Sequence, residues 1–298
     1  MNKINTLCFS GGGINCFSFL GALNYILSHD IININNIHTY IGTSGGAILA
    51  YLLSLNYTTN ELITFFINND INFIKNINIS NLFYNYGLDN GEQILLIIKY
   101  FLKKKFNKDD ITFIELYDLT HNKLIINGTK INNNKIEEIL FDKDNSPNMS
   151  ILLALRISIS VPIIYSPIYY ETNYYIDGGI SNHFLYNYCN HDTTLGFCIN
   201  NVNLINPLHY IFYNINLSKP KKKYNYKYII FFDIFNKSEF NISIYNIKQI
   251  ILYGETICKY RIQNNFNNTI LNSTFIYNHI NYILFFLFLL FFIYKYLM

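Results

Sequence analysis

Two glycine-dense stretches lie close together near the start of this chain, each after a short apolar run: "LCFSGGG" at 7–13 and "TYIGTSGG" at 39–46. Glycine loses more conformational freedom on folding than any other residue. A run of three is therefore costly in a regular element and belongs where the backbone turns tightly or lets another group approach. The run at 3–9 reads as a buried strand meeting Gly11, Gly12 and Gly13, and 38–41 as a short strand meeting Gly42. Residues 14–28 and 46–55, the latter "GAILAYLLSL", read as apolar helices. Strand, glycine turn and helix, twice in succession, begin an α/β fold.

The alternation continues. Residues 59–67 form a helix with Thr59 at its N-cap. Ile94, Leu95, Ile97, Ile98, Phe101 and Leu102 make a one-sided helical stripe over 91–106, ending in three lysines. Strands are expected at 123–131, 173–179 and 194–200, a short buried helix at 149–158 and a core-facing helix at 243–260. Residues 201–240 read as irregular, and their basic, aromatic run at 218–228 suits either a lipid headgroup or a solvated loop. The expected fold is α/β, with a mostly parallel central sheet and helices on both faces.

Gly42-Thr43-Ser44-Gly45-Gly46 fits the pattern G-x-S-x-G. That pattern sets a serine on a sharp strand-to-helix turn, hydroxyl outward, with glycines where side chains would strike the neighbouring strand and helix. Free N–H groups of the helix start point at the same spot. Ser44 is thus a candidate nucleophile, with an ordinary helix cap as the alternative. Gly11, Gly12 and Gly13, together with Gly45, can present backbone N–H groups to the negative oxygen that acyl transfer creates. A dinucleotide-binding loop is the rival reading, but Cys16 stands where its third glycine belongs.

A serine needs a base. His183, His191 and His209 follow in the chain without a motif around them. Asp177, in "YYIDGGISN", ends a strand at the same sheet edge as Ser44, and Gly178 and Gly179 leave room for close approach. A carboxyl group at its usual pKa of about 4 is a weak base. Buried in an apolar site, its pKa rises and it can take the serine proton directly. The alternative is a turn aspartate.

These pieces resemble the patatin-like phospholipases over about residues 4–200. The glycine loop at 11–16, G-x-S-x-G at 42–46 and D-G-G at 177–179 occur in that family's order, with similar intervening text at 111–131 and 146–168 and an asparagine, Asn182, after the last motif. The resemblance implies an α/β-hydrolase-related, three-layer fold and hydrolysis of lipid acyl esters without a cofactor or metal. By residue it implies Ser44 as nucleophile, Asp177 as proton acceptor and Gly11, Gly12 and Gly13 as the oxyanion loop. Gly42, Gly46, Gly178, Gly179 and Asn182 support the motifs. One departure stands out: Asn15 and Cys16 occupy positions where the family has a basic residue and a glycine.

Composition bears on partners. Net charge is +3, too small to suggest nucleic acid. Five cysteines without paired spacing read as buried free thiols in a reducing compartment. No secretory signal precedes the first strand. Residues 282–298, "YILFFLFLLFFIYKYLM", carry one charge, Lys295. At about 1.5 Å per residue they reach about 26 Å, the short end of a bilayer span. The expected organisation is a catalytic domain at 1–200, an extension completing it at 201–261, a linker at 262–281 and a transmembrane tail anchor at 282–298, with the domain facing the cytosol. The expected function is a membrane-anchored lipid acyl hydrolase of phospholipase A type. An acyltransferase using the same acyl-enzyme, or an inert lipid-binding or interaction protein, remain the alternatives.

Overall fold

In this computed structural model the described residues are 3–132, 135–200, 228–233 and 242–264. β1 (Thr6–Phe9) passes through a 3-10 turn at Gly13–Cys16 into α1 (Phe17–Ser28). β2 (Thr39–Gly42) leads into α2 (Gly45–Ser54), followed by α3 (Thr59–Asn68). The cap of α3 is Thr58, not the expected Thr59. Only Thr58 has a glutamate three positions on, and Thr58 and Glu61 each bond the other's backbone N–H. α4 (Ile79–Asn85), β3 (Gly87–Asp89) and α5 (Glu92–Phe106) come next. α6 (Phe113–Thr120) starts on a second capping box, between Thr112 and Glu115.

The second half holds β4 (Lys123–Asn132), β5 (Lys135–Phe141), α7 (Ile151–Ser158), β6 (Ile163–Tyr165), β7 (Ile168–Tyr170) and β8 (Asn173–Asp177). A single turn, α8 (Gly178–Ser181), then β9 (Thr194–Asn200), β10 (Ile229–Asp233) and α9 (Ile244–Gln263) complete it. β10 lies in a stretch expected to be irregular; its "IIFFD" pairs along β9.

The main sheet runs β10-β9-β1-β2-β4-β8-β7, with β5 also on β4. β10, β9, β1, β2 and β4 are mutually parallel, whereas β5, β8 and β7 join antiparallel. The sheet is therefore mixed: β10 to β4 form the expected parallel majority, and the antiparallel strands joined at β4 are what the expectation lacked. The cause is the length of β4. Its first residues, to Ile126, pair with β2, and its remainder projects past the end of β2 and offers both edges to antiparallel partners.

Strand alternation divides the core. Leu7 and Phe9 of β1, Tyr40 of β2 and Leu195 and Phe197 of β9 face one cluster, which also takes the buried faces of α1, α2, α3, α5, α6, α7 and α9. Cys8, Ile41 and Cys198 face the other side, where Phe184, Leu185 and Tyr186 cover them. Those three belong to a segment with a 3-10 turn at Leu185–Tyr188. Among the described residues, then, the long helices gather on one face. No helix among them is long and apolar enough to cross a membrane. The expected tail anchor at 282–298, His209, nearly all of the basic run and most of the linker lie outside the described residues.

α9 crosses α1 at close range. A Cβ on Gly254 would overlap the Ser18 carbonyl, and one on Gly21 the Ile251 carbonyl. Alanine normally improves a helix by about 1 kcal/mol over glycine. Here the sign reverses: Gly254→Ala is expected to lower unfolding stability by about 1–3 kcal/mol, measured by denaturant titration. A variant as stable as the parent would mean that the helices do not cross this closely.

Candidate active site

The site is assembled on β4. β5 takes one edge of β4 from Ile126 to Asn132, so β2 and β8 share the opposite edge and point at each other. β2 ends with Gly42 opposite Ile126, and β8, running the other way, ends with Asp177 opposite Gly128. The turns beyond the two strand ends therefore face each other across two residues of β4. Asp177 and Ser44 meet, as expected, at one sheet edge, but because their strands converge head to head and not because they run parallel.

Ser44 occupies a backbone conformation, φ 53° and ψ −125°, that an L-residue adopts only at a cost of about 1–3 kcal/mol. Its N–H donates to Ser158 Oγ at 2.9 Å, and Thr43 N–H donates to the Phe9 carbonyl at 3.2 Å, fixing the elbow from two sides. The Ser44 hydroxyl donates to Asp177 Oδ2 at 2.7 Å. Asp177 Oδ1 accepts the Gly179 N–H at 2.7 Å, so both carboxylate oxygens are hydrogen-bonded. Both residues are buried. The Asp177 backbone is held as firmly: its N–H goes to the Ser160 carbonyl, and its carbonyl accepts the Thr129 hydroxyl.

The first glycine loop lies against this elbow. Gly45 passes so near Gly13 that a Cβ on Gly45 would stand 2.7 Å from the Gly13 carbonyl oxygen. Gly13 opens the 3-10 turn and Gly45 opens α2, so their N–H groups are among those a helix start leaves without an intrahelical acceptor; Gly12 caps the turn. Gly11 does not join them. Its N–H donates to the His183 carbonyl at 3.0 Å, which corrects its expected place among the oxyanion donors. Gly42, Gly46 and Gly178 each lie where a Cβ would overlap a neighbour, Gly178 against Asn127 Oδ1.

No histidine engages the Ser44 hydroxyl among the described residues. The His183 ring packs on Gly11, with Nε2 3.3 Å from the Ile199 carbonyl, and His191 stacks on Tyr186. Asn182 does not touch Ser44 either. Its amide donates to Glu138 and Asn187, while its carbonyl accepts the Asn127 amide.

Ser44, Gly13, Gly45 and Cys16 form part of the wall of a cavity of about 220 Å³. The rest of the wall is mostly isoleucine, leucine and phenylalanine, including Ile48, Leu52, Phe66, Ile97 and Ile164, with Lys75 its one charged residue among those described. Asp177 does not line it and lies behind Ser44. Burial, reinforced by the charge of Asp177, pushes the Cys16 thiol well above its ordinary pKa, so it faces the cavity as a neutral group. The arrangement can seat an acyl chain, attack its ester carbon and receive the displaced charge on backbone N–H groups.

Several supporting residues escaped the sequence reading. Ser158, Ser160 and Arg156 come from α7 and the turn after it, read simply as a buried helix. Arg156 is buried, and burial lowers its pKa to about 10. It donates to Ser160 Oγ and to the Asn90 and Ser166 carbonyls. Asn127 and Thr129 of β4 hold the turn after Asp177. The available signal was polar residues spaced two apart, "RISIS" and "NGT", inside apolar elements.

The patatin-like phospholipase family model matches residues 7–188, more than half of the chain. The chain is similar to the probable lipid hydrolase 463L of Invertebrate iridescent virus 6, with 36% identity over 184 residues, 60% of this chain and 61% of that protein. It thus spans less than two thirds of that relative's length. Among solved structures it is similar to VipD from Legionella pneumophila, with TM-score 0.54, 14% identity and coverage of 88% of this chain and 67% of that one. The type III effector ExoU of Pseudomonas aeruginosa gives 0.54, 14%, 89% and 54%. At that identity these two show the fold alone.

Ser158→Ala would leave the buried Ser44 N–H without its acceptor. The expected loss is about 1–3 kcal/mol of unfolding stability, read by chemical denaturation. No loss would mean that Ser158 does not hold the elbow.

Proposed function

The chain belongs to the patatin-like phospholipase family, and on that premise we propose that it cleaves fatty acyl esters of membrane phospholipids through Ser44 and Asp177. The observation that carries this reading is the 2.7 Å hydrogen bond from Ser44 Oγ to Asp177 Oδ2 at the wall of an apolar cavity.

The ester's acyl chain lies in the cavity with its carbonyl carbon at Ser44 Oγ. As Oγ attacks, its proton passes to Asp177 Oδ2 and a carbon–oxygen bond forms. The carbonyl oxygen takes the negative charge and is met by N–H groups of Gly12, Gly13 and Gly45, donors that cost no reorganisation during reaction. Collapse breaks the ester bond. The leaving alcohol takes the proton from Asp177, and an acyl-serine remains. Water then gives a proton to Asp177 and attacks the acyl carbon. Collapse of that second intermediate releases the fatty acid and returns the proton to Ser44.

Residues 282–298 serve as a tail anchor that keeps the enzyme on its substrate's membrane, with the catalytic domain on the cytosolic side. The segment's length and single charge support this, as do five cysteines that are all free thiols, as a reducing compartment requires.

The test is fatty acid release from phosphatidylcholine vesicles by the full chain. Ser44→Ala and Asp177→Asn are each expected to lower the rate by roughly three orders of magnitude or more. Circular dichroism verifies that the variants are folded. Equal release by parent and both variants would refute the assignment.

A further inference from the structure

Residues 72–86 form an excursion that exposes several large apolar side chains. Phe73, Ile77, Ile79, Phe83, Tyr84 and Tyr86 are all exposed, with Ile79 at 59%, Phe83 at 58% and Tyr84 at 81%. α4 contributes no buried residue. Asn81 and Leu82 are its half-buried residues, and Asn81 donates to the Gly87 carbonyl at 2.7 Å and to Ser166 Oγ at 3.2 Å. A surface helix of a globular protein normally turns its large apolar side chains inward, whereas Ile79, Phe83 and Tyr84 of α4 face outward.

The excursion is also a built one. Asn78 accepts the Ser80 N–H at the start of α4 and gives its own N–H to the Leu88 carbonyl; Asp89 Oδ2 accepts the Asn76 N–H at 2.7 Å. β3 then pairs with β6, which supplies Ile164 and Tyr165 to the cavity wall. Ile71, Ile74 and Lys75, at the other end of the excursion, line the same cavity. Both ends of the excursion therefore connect to elements that line the space beside Ser44.

We propose that residues 72–86 are a docking surface for a phospholipid bilayer, which seats Phe83 and Tyr84 among the acyl chains and passes an acyl chain from the bilayer into the cavity. Charge fits this occupant. From Ile71 to Leu88 the sequence holds no acidic residue, and its one charge is the cation Lys75. Phenylalanine, isoleucine and tyrosine, flanked by asparagine, are the side chains that partition at the boundary between headgroups and acyl chains. Patches this apolar are uncommon on soluble monomers and mark interaction sites. The proposal rests on the hydrolase reading for the substrate, but the docking it describes is measured separately from turnover.

The chain contains no tryptophan, so one introduced residue reports on its own surroundings. Phe83→Trp and, as a control on a different exposed surface, Leu119→Trp are made in the full chain and in its Ser44→Ala form, and mixed with phosphatidylcholine vesicles with and without bromine-labelled acyl chains. The expected result is a blue shift and strong bromine quenching for Phe83→Trp and neither for Leu119→Trp, with or without Ser44. This contrast holds even if the tail tethers every molecule, because it reads insertion of one side chain. Unchanged emission of Phe83→Trp on vesicles overturns the proposal. So does blue emission before lipid is added, which would mean that another part of the chain or a second copy covers the patch. Vesicle hydrolysis without insertion leaves the hydrolase reading standing and removes this one; insertion without hydrolysis does the opposite.

Discussion

One hydrogen bond, from a strained serine to a buried carboxylate, needs two strand ends brought together, and β4 does this. It is long enough to pair with β2 along its first residues and with β8 along its later ones, on a single edge. The elbow that carries Ser44 and the turn that carries Asp177 then have nowhere to go except toward each other. The surrounding polar groups serve the same end. Ser158 takes the Ser44 N–H, Ser160 takes the Asp177 N–H, and Arg156 locks Ser160. Each removes a backbone group from competition and leaves the hydroxyl and the carboxylate with one another.

The legible part of this arrangement was local. Glycine triplets and G-x-S-x-G announce themselves because their cost is borne at the residues concerned, and apolar runs announce strands and helices by period. Strand direction was not legible, since "NYYID" reads the same whether its neighbour runs with it or against it. The mixed sheet followed from the excess length of β4, a property of pairing and not of the segment. The absence of long helices on the second face among the described residues was hidden for the same reason. The role of Gly11 was misjudged because glycine signals that a backbone approaches something, without saying what: here the partner is the His183 carbonyl. In "NINISNLFYNY" the apolar residues follow no single helical or strand face, so the segment carries no period to read.

Asn15 and Cys16 close the first glycine loop in different ways. Asn15 is buried, and Cys16 faces the cavity as a neutral thiol between the glycine loop and α2. Cys16 is thus part of the wall beside Ser44, and Asn15 is not. A cavity with Lys75 as its one charged lining residue among those described, bordered by an excursion of exposed aromatic and aliphatic side chains, favours what is delivered from an apolar phase over what arrives dissolved in water.

The central claim is that the Ser44 proton goes to Asp177 with no histidine between them. Covalent labelling tests it directly. The chain is incubated with a fluorophosphonate, which phosphonylates only an activated serine, and the labelled peptide is located by mass. The account predicts a single adduct on Ser44, lost in Asp177→Asn and retained in His183→Gln. An Asp177→Asn chain that labels at the parental rate, or a parent chain that loses its adduct when His183 is replaced, would contradict it.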